Sequence, residues 1–403
     1  MKKRLIVVLA SALAVSMIFS GCGKQEIDTA AKGETETAED TAEDTDVLTT
    51  GLASISGDSS GAGIYLDMSI EEFNDLGFEF GDSVNVYFDN GKSIEDIPYY
   101  SGYYTPVDGL LLVGYPGSDC VKIGRNYGVC TLQEYGLTED SMADISLNER
   151  GKYADIQELY NLEYSDNRDD YASDVIFANF REVRGGNLQD GMVYRSASPC
   201  DNEHNRASYA NRLAEENGIG FVLNMSDNEE KYKSYTENVD FESIYYNALY
   251  EDGKVLLLDM NANYRSDEFA QTLSKALAEM SENEGPVLIH CVEGKDRTGF
   301  ACALILALSD ASPEEIIEDY MITYYNYYGV KEEENPERYA AIAINAEDFI
   351  YYLSDTETGT PFEELDLKSS AENYLRKGGL SDEEIQRIEE YVCGLSYEMA
   401  EAA

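Results

Sequence analysis

The chain has 403 residues, too many for one typical domain of roughly 100–200, and a 43% hydrophobic content sufficient for more than one core. Against 29 basic side chains stand 79 acidic ones, a formal net charge of −50. Such a surface repels nucleic acid, which is excluded as a partner, and phosphorylated molecules at long range, so any phosphate site must be a local positive pocket in a negative field.

Taken in chain order, Lys2, Lys3 and Arg4 precede an apolar stretch from Leu5 to Phe19. The stretch falls short of the ~20 residues that span a bilayer, so it reads as an export signal. It ends in Ile18-Phe19-Ser20-Gly21-Cys22, which resembles the lipobox of bacterial lipoproteins. That resemblance implies cleavage before Cys22, lipidation of Cys22, and a chain tethered to the extracytoplasmic face of the cell membrane. Residues 23–61 are mostly Thr, Glu, Asp, Ala, Ser and Gly, and cannot bury enough surface to offset chain entropy. They read as a disordered acidic tether.

Residues 62–165 change character. Val84, Val86 and Phe88 alternate with Ser83, Asn85 and Tyr87 as in a half-buried strand, and Asp89-Asn90-Gly91 is a hairpin turn. Leu110 to Val113 reads as another strand, ended by Gly114 and Pro116-Gly117. Short strands punctuated by Gly and Pro predict a small β-rich, barrel-like domain. Cys120 and Cys130 are close enough in the chain to pair in an oxidising compartment, and the sequence leaves both states open. The segments Gly77-Phe78 and Gly81-Asp82-Ser83-Val84-Asn85-Val86, continuing to Val121-Lys122-Ile123-Gly124-Arg125-Asn126-Tyr127-Gly128, resemble the C-terminal barrel of the S-adenosylmethionine hydroxide adenosyltransferases. That family's reaction also needs an N-terminal domain for which this chain has no room, so the resemblance implies a binding or spacing module.

Residues 172–397 carry an α/β pattern. Val175-Ile176-Phe177 opens it, and a buried strand at 220–224 follows a helix from Ala207 to Glu216. Apolar runs at 254–258 and 286–289 flank a helix from Asp267 to Met280, and this alternation predicts a mainly parallel central sheet flanked by helices. Ser312-Pro313-Glu314-Glu315 and Ser381-Asp382-Glu383-Glu384 each start a helix with a serine cap. Cys302 lies in an apolar run and reads as core, Cys393 falls on the last helix, and Cys200 in a turn. There is no Cys-x-x-Cys pair and only His204 and His290, so neither a zinc site nor any other metal is expected.

The segment that carries chemistry runs Val287-Leu288-Ile289-His290-Cys291-Val292-Glu293-Gly294-Lys295-Asp296-Arg297-Thr298-Gly299. An apolar strand enters a tight loop, and the loop enters a helix from Thr298 to Leu308. A helix N-terminus favours negative charge and so favours the thiolate, the form of Cys291 that attacks phosphorus. The five residues between Cys291 and Arg297 can wrap one phosphoryl group, with Val292, Glu293 and Gly294 turning their N–H groups inward as an anion nest. Gly294 permits the backbone angles a nest needs. Arg297 offers a planar fork for two equatorial oxygens, and Thr298 can hydrogen-bond the sulfur.

This string matches the Cys-x5-Arg signature of protein tyrosine phosphatases, and its His-Cys-x-x-Gly-Lys-Asp-Arg-Thr-Gly form resembles the bacterial tyrosine/lipid phosphatase family. Asn179-Phe180-Arg181-Glu182-Val183-Arg184-Gly185-Gly186 with Tyr194-Arg195-Ser196-Ala197, and the closing Tyr374-Leu375 and Gly379 to Ile385, are similar to other motifs of that family. The resemblance implies a cysteine-phosphatase fold and a phosphomonoester hydrolase. In it Cys291 is the nucleophile, Arg297 the phosphate clamp, and Lys295 and Asp296 loop residues important for activity. Two candidates for the general acid stay open: Asp259, 32 residues before Cys291 at the end of an apolar run, and Asp296 within the loop. Asp227 is a weaker third, because Asn224-Met225-Ser226 stands where relatives often have Asp-Leu-Arg. Lys295 adds positive charge as in relatives that accept phosphoinositides, while Glu293 subtracts it. A phosphotyrosyl protein or another small monoester therefore fits better than an inositol polyphosphate. No cofactor is called for, since Arg297, Lys295 and the loop amides supply the electrostatics. A phosphoinositide or inositol-phosphate phosphatase on the same fold, and a non-catalytic surface binding module, remain the alternatives.

Overall fold

A computed structural model of the chain describes residues 48–57, 63–238 and 240–394. The leader, its lipobox and residues 23–47 of the expected tether lie outside the described residues.

Seven strands close a barrel: β1 (Ala53–Gly57), β2 (Ile64–Ser69), β3 (Ser83–Phe88), β4 (Ser93–Tyr100), β5 (Leu110–Val113), β6 (Cys120–Arg125) and β7 (Met142–Glu149), in the order β1-β2-β6-β5-β4-β3-β7. Val84, Val86 and Phe88 point inward from β3 onto Ile64, Leu66, Leu112, Ile123 and Ile145, and Asp89-Asn90-Gly91 makes the β3–β4 turn. Closure removes the sheet edges on which another chain could pair. The barrel starts earlier than composition suggests. β1 lies inside the stretch assigned to the tether, and pairs with both β2 and β7. Ser54, Ser56 and Gly57 conceal it, because Ile55 is its one large buried side chain. Cys120 and Cys130 are free thiols, the second buried.

The second layer system is a five-stranded sheet of β8 (Arg181–Glu182), β9 (Val193–Ser196), β10 (Phe221–Asn224), β11 (Val255–Leu257) and β12 (Val287–His290), ordered β11-β10-β12-β9-β8. β11, β10, β12 and β9 run parallel, and β8 is the antiparallel edge. Every side chain of β10 and β12 is buried, as expected of strands covered on both faces. The helices Ala207–Glu216 and Asp267–Met280 have the predicted ends, and Ser312 and Ser381 each complete a capping box. Val175-Ile176-Phe177 belongs to a short helix, Asp174–Phe177, capped by Ser173. The helix Asp296–Leu308 is buried from Thr298 to its end, enclosed by Pro313–Tyr328, Pro336–Ser354 and Leu367–Lys377. Cys302 lies at its core, and Cys393 ends the helix Asp382–Cys393.

The barrel packs on the helix Pro336–Ser354 through the segment that follows β7. Tyr104 stacks on Tyr160 at 4.4 Å, the Tyr160 hydroxyl donates to the Ala341 carbonyl at 2.6 Å, and Arg338 Nη2 donates to the Glu158 carbonyl at 2.7 Å.

Candidate active site

β12 is the middle strand of the five-stranded sheet, and Cys291 follows directly on its C-terminal end, where open α/β sheets place their ligands. The chain then makes the loop 291–295 and enters the helix Asp296–Leu308, whose start no side chain caps. The first N–H groups of an uncapped helix are the natural partners of an anion. Gly294 holds φ +67°, and a Cβ there would lie 2.1 Å from the Ser196 carbonyl oxygen. No other residue fits that turn.

The loop's carbonyls are tied down from below. Asn179 Nδ2 donates to the carbonyls of Glu293 and Gly294, both at 3.3 Å, and Arg195 Nη2 donates to that of Gly294 at 2.7 Å. The Tyr327 hydroxyl donates to the Glu293 carbonyl at 2.6 Å, and the Ser198 N–H to that of Val292 at 2.9 Å. With the carbonyls turned outward, the loop's amides are left to face inward. Arg195 is completely buried and pairs with Asp319, which Arg181 also contacts at 3.3 Å. Burial and the neighbouring Arg195 pull the Arg181 guanidinium down to about 10, which still leaves it charged at neutral pH. Two guanidinium groups share one carboxylate, so a surplus positive charge sits under the loop.

Cys291 is at the floor, 4% exposed. His290 beside it is fully buried, its Nδ1 3.2 Å from the Cys291 carbonyl and its Nε2 3.4 Å from the Tyr246 hydroxyl. Burial drives its pKa down to about 4 despite the nearby Asp227, so the imidazole is neutral at neutral pH. Thr298 Oγ1 is buried without a hydrogen-bond partner. The bond to the sulfur expected from the sequence is therefore not made, and that hydroxyl is uncommitted.

At the mouth, Lys295 Nζ lies 2.9 Å from Glu293 Oε2 and 3.9 Å from Asp296 Oδ2. Burial favours a neutral amine, but Asp296 and Glu293 outweigh it and hold Lys295 firmly protonated. Desolvation in this crowded mouth, reinforced by Glu293, raises the Asp296 carboxyl above the usual carboxylate range, although half its side chain is exposed. Burial pushes Glu293 the same way, but Lys295 and the Tyr164 hydroxyl, which donates to Glu293 Oε1 at 2.6 Å, hold it below.

Arg297 Nη1 donates to the Met260 carbonyl at 2.8 Å, which fixes the guanidinium from outside the loop. Asp259, the preceding residue, is exposed, sits at φ +46°, and accepts from Asn228 Nδ2 at 3.0 Å. Asp227 is completely buried and accepts from Asn224 Nδ2 at 2.8 Å and the Tyr235 hydroxyl at 3.1 Å, with the Cys200 thiol 3.7 Å away. The structure thus gathers Cys291, Glu293, Gly294 and Lys295 in one loop, with Asp296 and Arg297 in the first turn of the helix that follows, and places Asp259 and Asp227 on neighbouring segments. Sequence reading gave no role to Asp319, Met260 or Tyr164. Asp319 was hidden among the acidic residues of its helix, and the other two reach the site only through tertiary folding.

The family model described as the tyrosine phosphatase family matches residues 177–393. The chain belongs to that family. No curated protein matches it. Among solved structures, this phosphatase is similar to TpbA of P. aeruginosa, at 18% identity over 47% of this chain and 92% of that one, with a TM-score of 0.26. A TpbA variant in complex with phosphotyrosine matches at 18% identity over 48% and 96%, with a TM-score of 0.27. The core catalytic domain of the PP-IP phosphatase SIW14 from S. cerevisiae, in complex with citrate, matches at 21% identity over 41% and 93%, with a TM-score of 0.24. The family match begins downstream of the barrel.

Proposed function

We propose that this tyrosine phosphatase works at Cys291 on phosphotyrosyl side chains of extracytoplasmic proteins, or on similar small monoesters. The observation that carries the reading is the position of Cys291: at the end of the sheet's middle strand, on the floor of a loop with pinned carbonyls that leads into an uncapped helix.

The Cys291 sulfur attacks phosphorus, the bond to the leaving oxygen breaks, and a phosphocysteine forms. Arg297, anchored through Met260, and the loop amides hold the equatorial oxygens. Asp296 protonates the leaving oxygen. Its raised pKa and half-exposed position support it over Asp259, whose carboxylate is turned to Asn228. Water then attacks the phosphocysteine, gives a proton to Asp296, and releases inorganic phosphate with the thiolate restored.

Substrate charge follows from the mouth. Glu293 cancels Lys295 at 2.9 Å, which weighs against a multiply phosphorylated inositol ring. Placement outside the cell, through a lipid on Cys22, rests on the basic start, the short apolar stretch and the residues around Cys22. The test is hydrolysis of p-nitrophenyl phosphate by reduced protein. Turnover should be sensitive to vanadate, insensitive to chelators, dependent on reductant, and absent in Cys291→Ser. Undiminished turnover in that variant would end the assignment.

A further inference from the structure

The segment that leaves the barrel reaches the phosphate loop. Tyr160 stacks on Tyr104 and donates its hydroxyl to the Ala341 carbonyl at 2.6 Å, which pins the segment at one point. Four residues on, the Tyr164 hydroxyl donates to Glu293 Oε1 at 2.6 Å, while Lys295 Nζ lies 2.9 Å from Glu293 Oε2. One oxygen of the Glu293 carboxylate is thus held by the linker and the other by the lysine of the loop.

Tyr164 is itself held from several sides. Its ring stacks on Tyr327 at 5.3 Å, meets Tyr328 edge-on at 5.5 Å, and has the Arg206 guanidinium 4.9 Å from its centroid. Its oxygen lies 3.3 Å from His204 Nε2, and His204 Nδ1 lies 3.2 Å from Asp166 Oδ1. Arg206 Nη1 donates to the same Asp166 oxygen at 2.8 Å. Tyr327 in turn donates to the Glu293 carbonyl at 2.6 Å, so two stacked tyrosines fix the main chain and the side chain of Glu293. Tyr164 lies upstream of residues 177–393, the part that the family model matches, so this arrangement belongs to the linker and not to the shared catalytic domain alone.

We propose that Tyr164 is a specificity-determining residue: it holds Glu293 against Lys295, so that the mouth disfavours phosphate esters carrying a second anion beside the phosphoryl group. An ion pair near water is worth little while its carboxylate is free to swing, and a third partner removes that freedom. With Glu293 fixed, the charge of Lys295 is neutralised within the mouth, and a second anion on the substrate meets a carboxylate as readily as an ammonium. Tyr164 acts through Glu293 and is a positioning residue. The inference rests on the phosphatase reading and deepens it.

The experiment compares 3-carboxyphenyl phosphate with phenyl phosphate on the full, reduced chain. Tyr164→Phe keeps the stacked ring and removes the hydroxyl, and should raise the kcat/KM of the carboxylated ester relative to the plain one about two- to threefold. In a Glu293→Gln background the same substitution should change that ratio no further, because the residue it acts through is gone. An unchanged ratio in Tyr164→Phe, or loss of turnover of both esters alike, would overturn the proposal and leave Tyr164 a part of the framework. An equal rise in the Glu293→Gln background would overturn the route through Glu293. Absence of phenyl phosphate turnover in the unmodified chain is a different result, and would overturn the phosphatase reading with everything built on it.

Discussion

The two sides of the phosphate loop are held by opposite kinds of interaction. Below it, Asn179, Arg181, Arg195, Asp319 and Tyr327 are buried or nearly so, and each bonds a loop carbonyl or one another. At the mouth, Glu293, Lys295 and Asp296 stay partly exposed, and their charges act chiefly on one another, with the Tyr164 hydroxyl donating to Glu293. Buried charges are costly to strip of partners, so the underside determines shape; charges near water can change protonation and partner at little cost, so the mouth determines chemistry and selectivity.

Variants can break that division. The largest effect belongs below: Arg195→Met leaves Asp319 with Arg181 alone and the Gly294 carbonyl with Asn179 alone, and urea unfolding should show a loss of about 3–5 kcal/mol together with activity. At the mouth, Asp296→Asn should leave the urea midpoint unchanged yet reduce kcat for phenyl phosphate by about 10²-fold or more, and abolish the fall in kcat at alkaline pH that follows loss of the acid's proton. A loss of stability as large as that of Arg195→Met would erase the distinction.

His290 supplies a smaller test of the underside. In the unfolded chain it protonates below its ordinary 6.5, while in the fold it stays neutral down to about 4. The unfolded state therefore binds more protons within this window. Stability is full above the window and falls with decreasing pH by up to about 1.4 kcal/mol per unit until it levels off below it. Denaturant midpoints measured across the window should show that slope in the native chain and a shallower one in His290→Gln. Smallest is the selectivity change in Glu293→Gln. Releasing Lys295 should lower KM for an inositol polyphosphate a few-fold, about the worth of one partly exposed ion pair, with phenyl phosphate hardly affected.

The two regions also differed in how plainly the sequence announced them. The loop could be read because all its chemistry lies in consecutive residues, Cys291 to Thr298, between an apolar strand and a helix. Helix starts at Ser312 and Ser381 could be read because caps are local. The underside could not: Asp319 lies within a helix of ordinary acidic appearance, and its meaning depends on Arg195, 124 positions away. Tyr164 sits in a linker without any period, and β1 shows one large apolar side chain among Ser and Gly. Contacts that only the tertiary fold creates leave no spacing to find.

The most direct measurement is to quench the reaction with a phosphotyrosyl peptide within one turnover, digest the protein in acid, and locate the phosphoryl group by mass spectrometry. The account predicts phosphate on the peptide containing Cys291, accumulating further in Asp296→Asn with an activated aryl ester whose departure needs no acid. Turnover that proceeds with no phosphate on Cys291, or with phosphate on another residue, would contradict it.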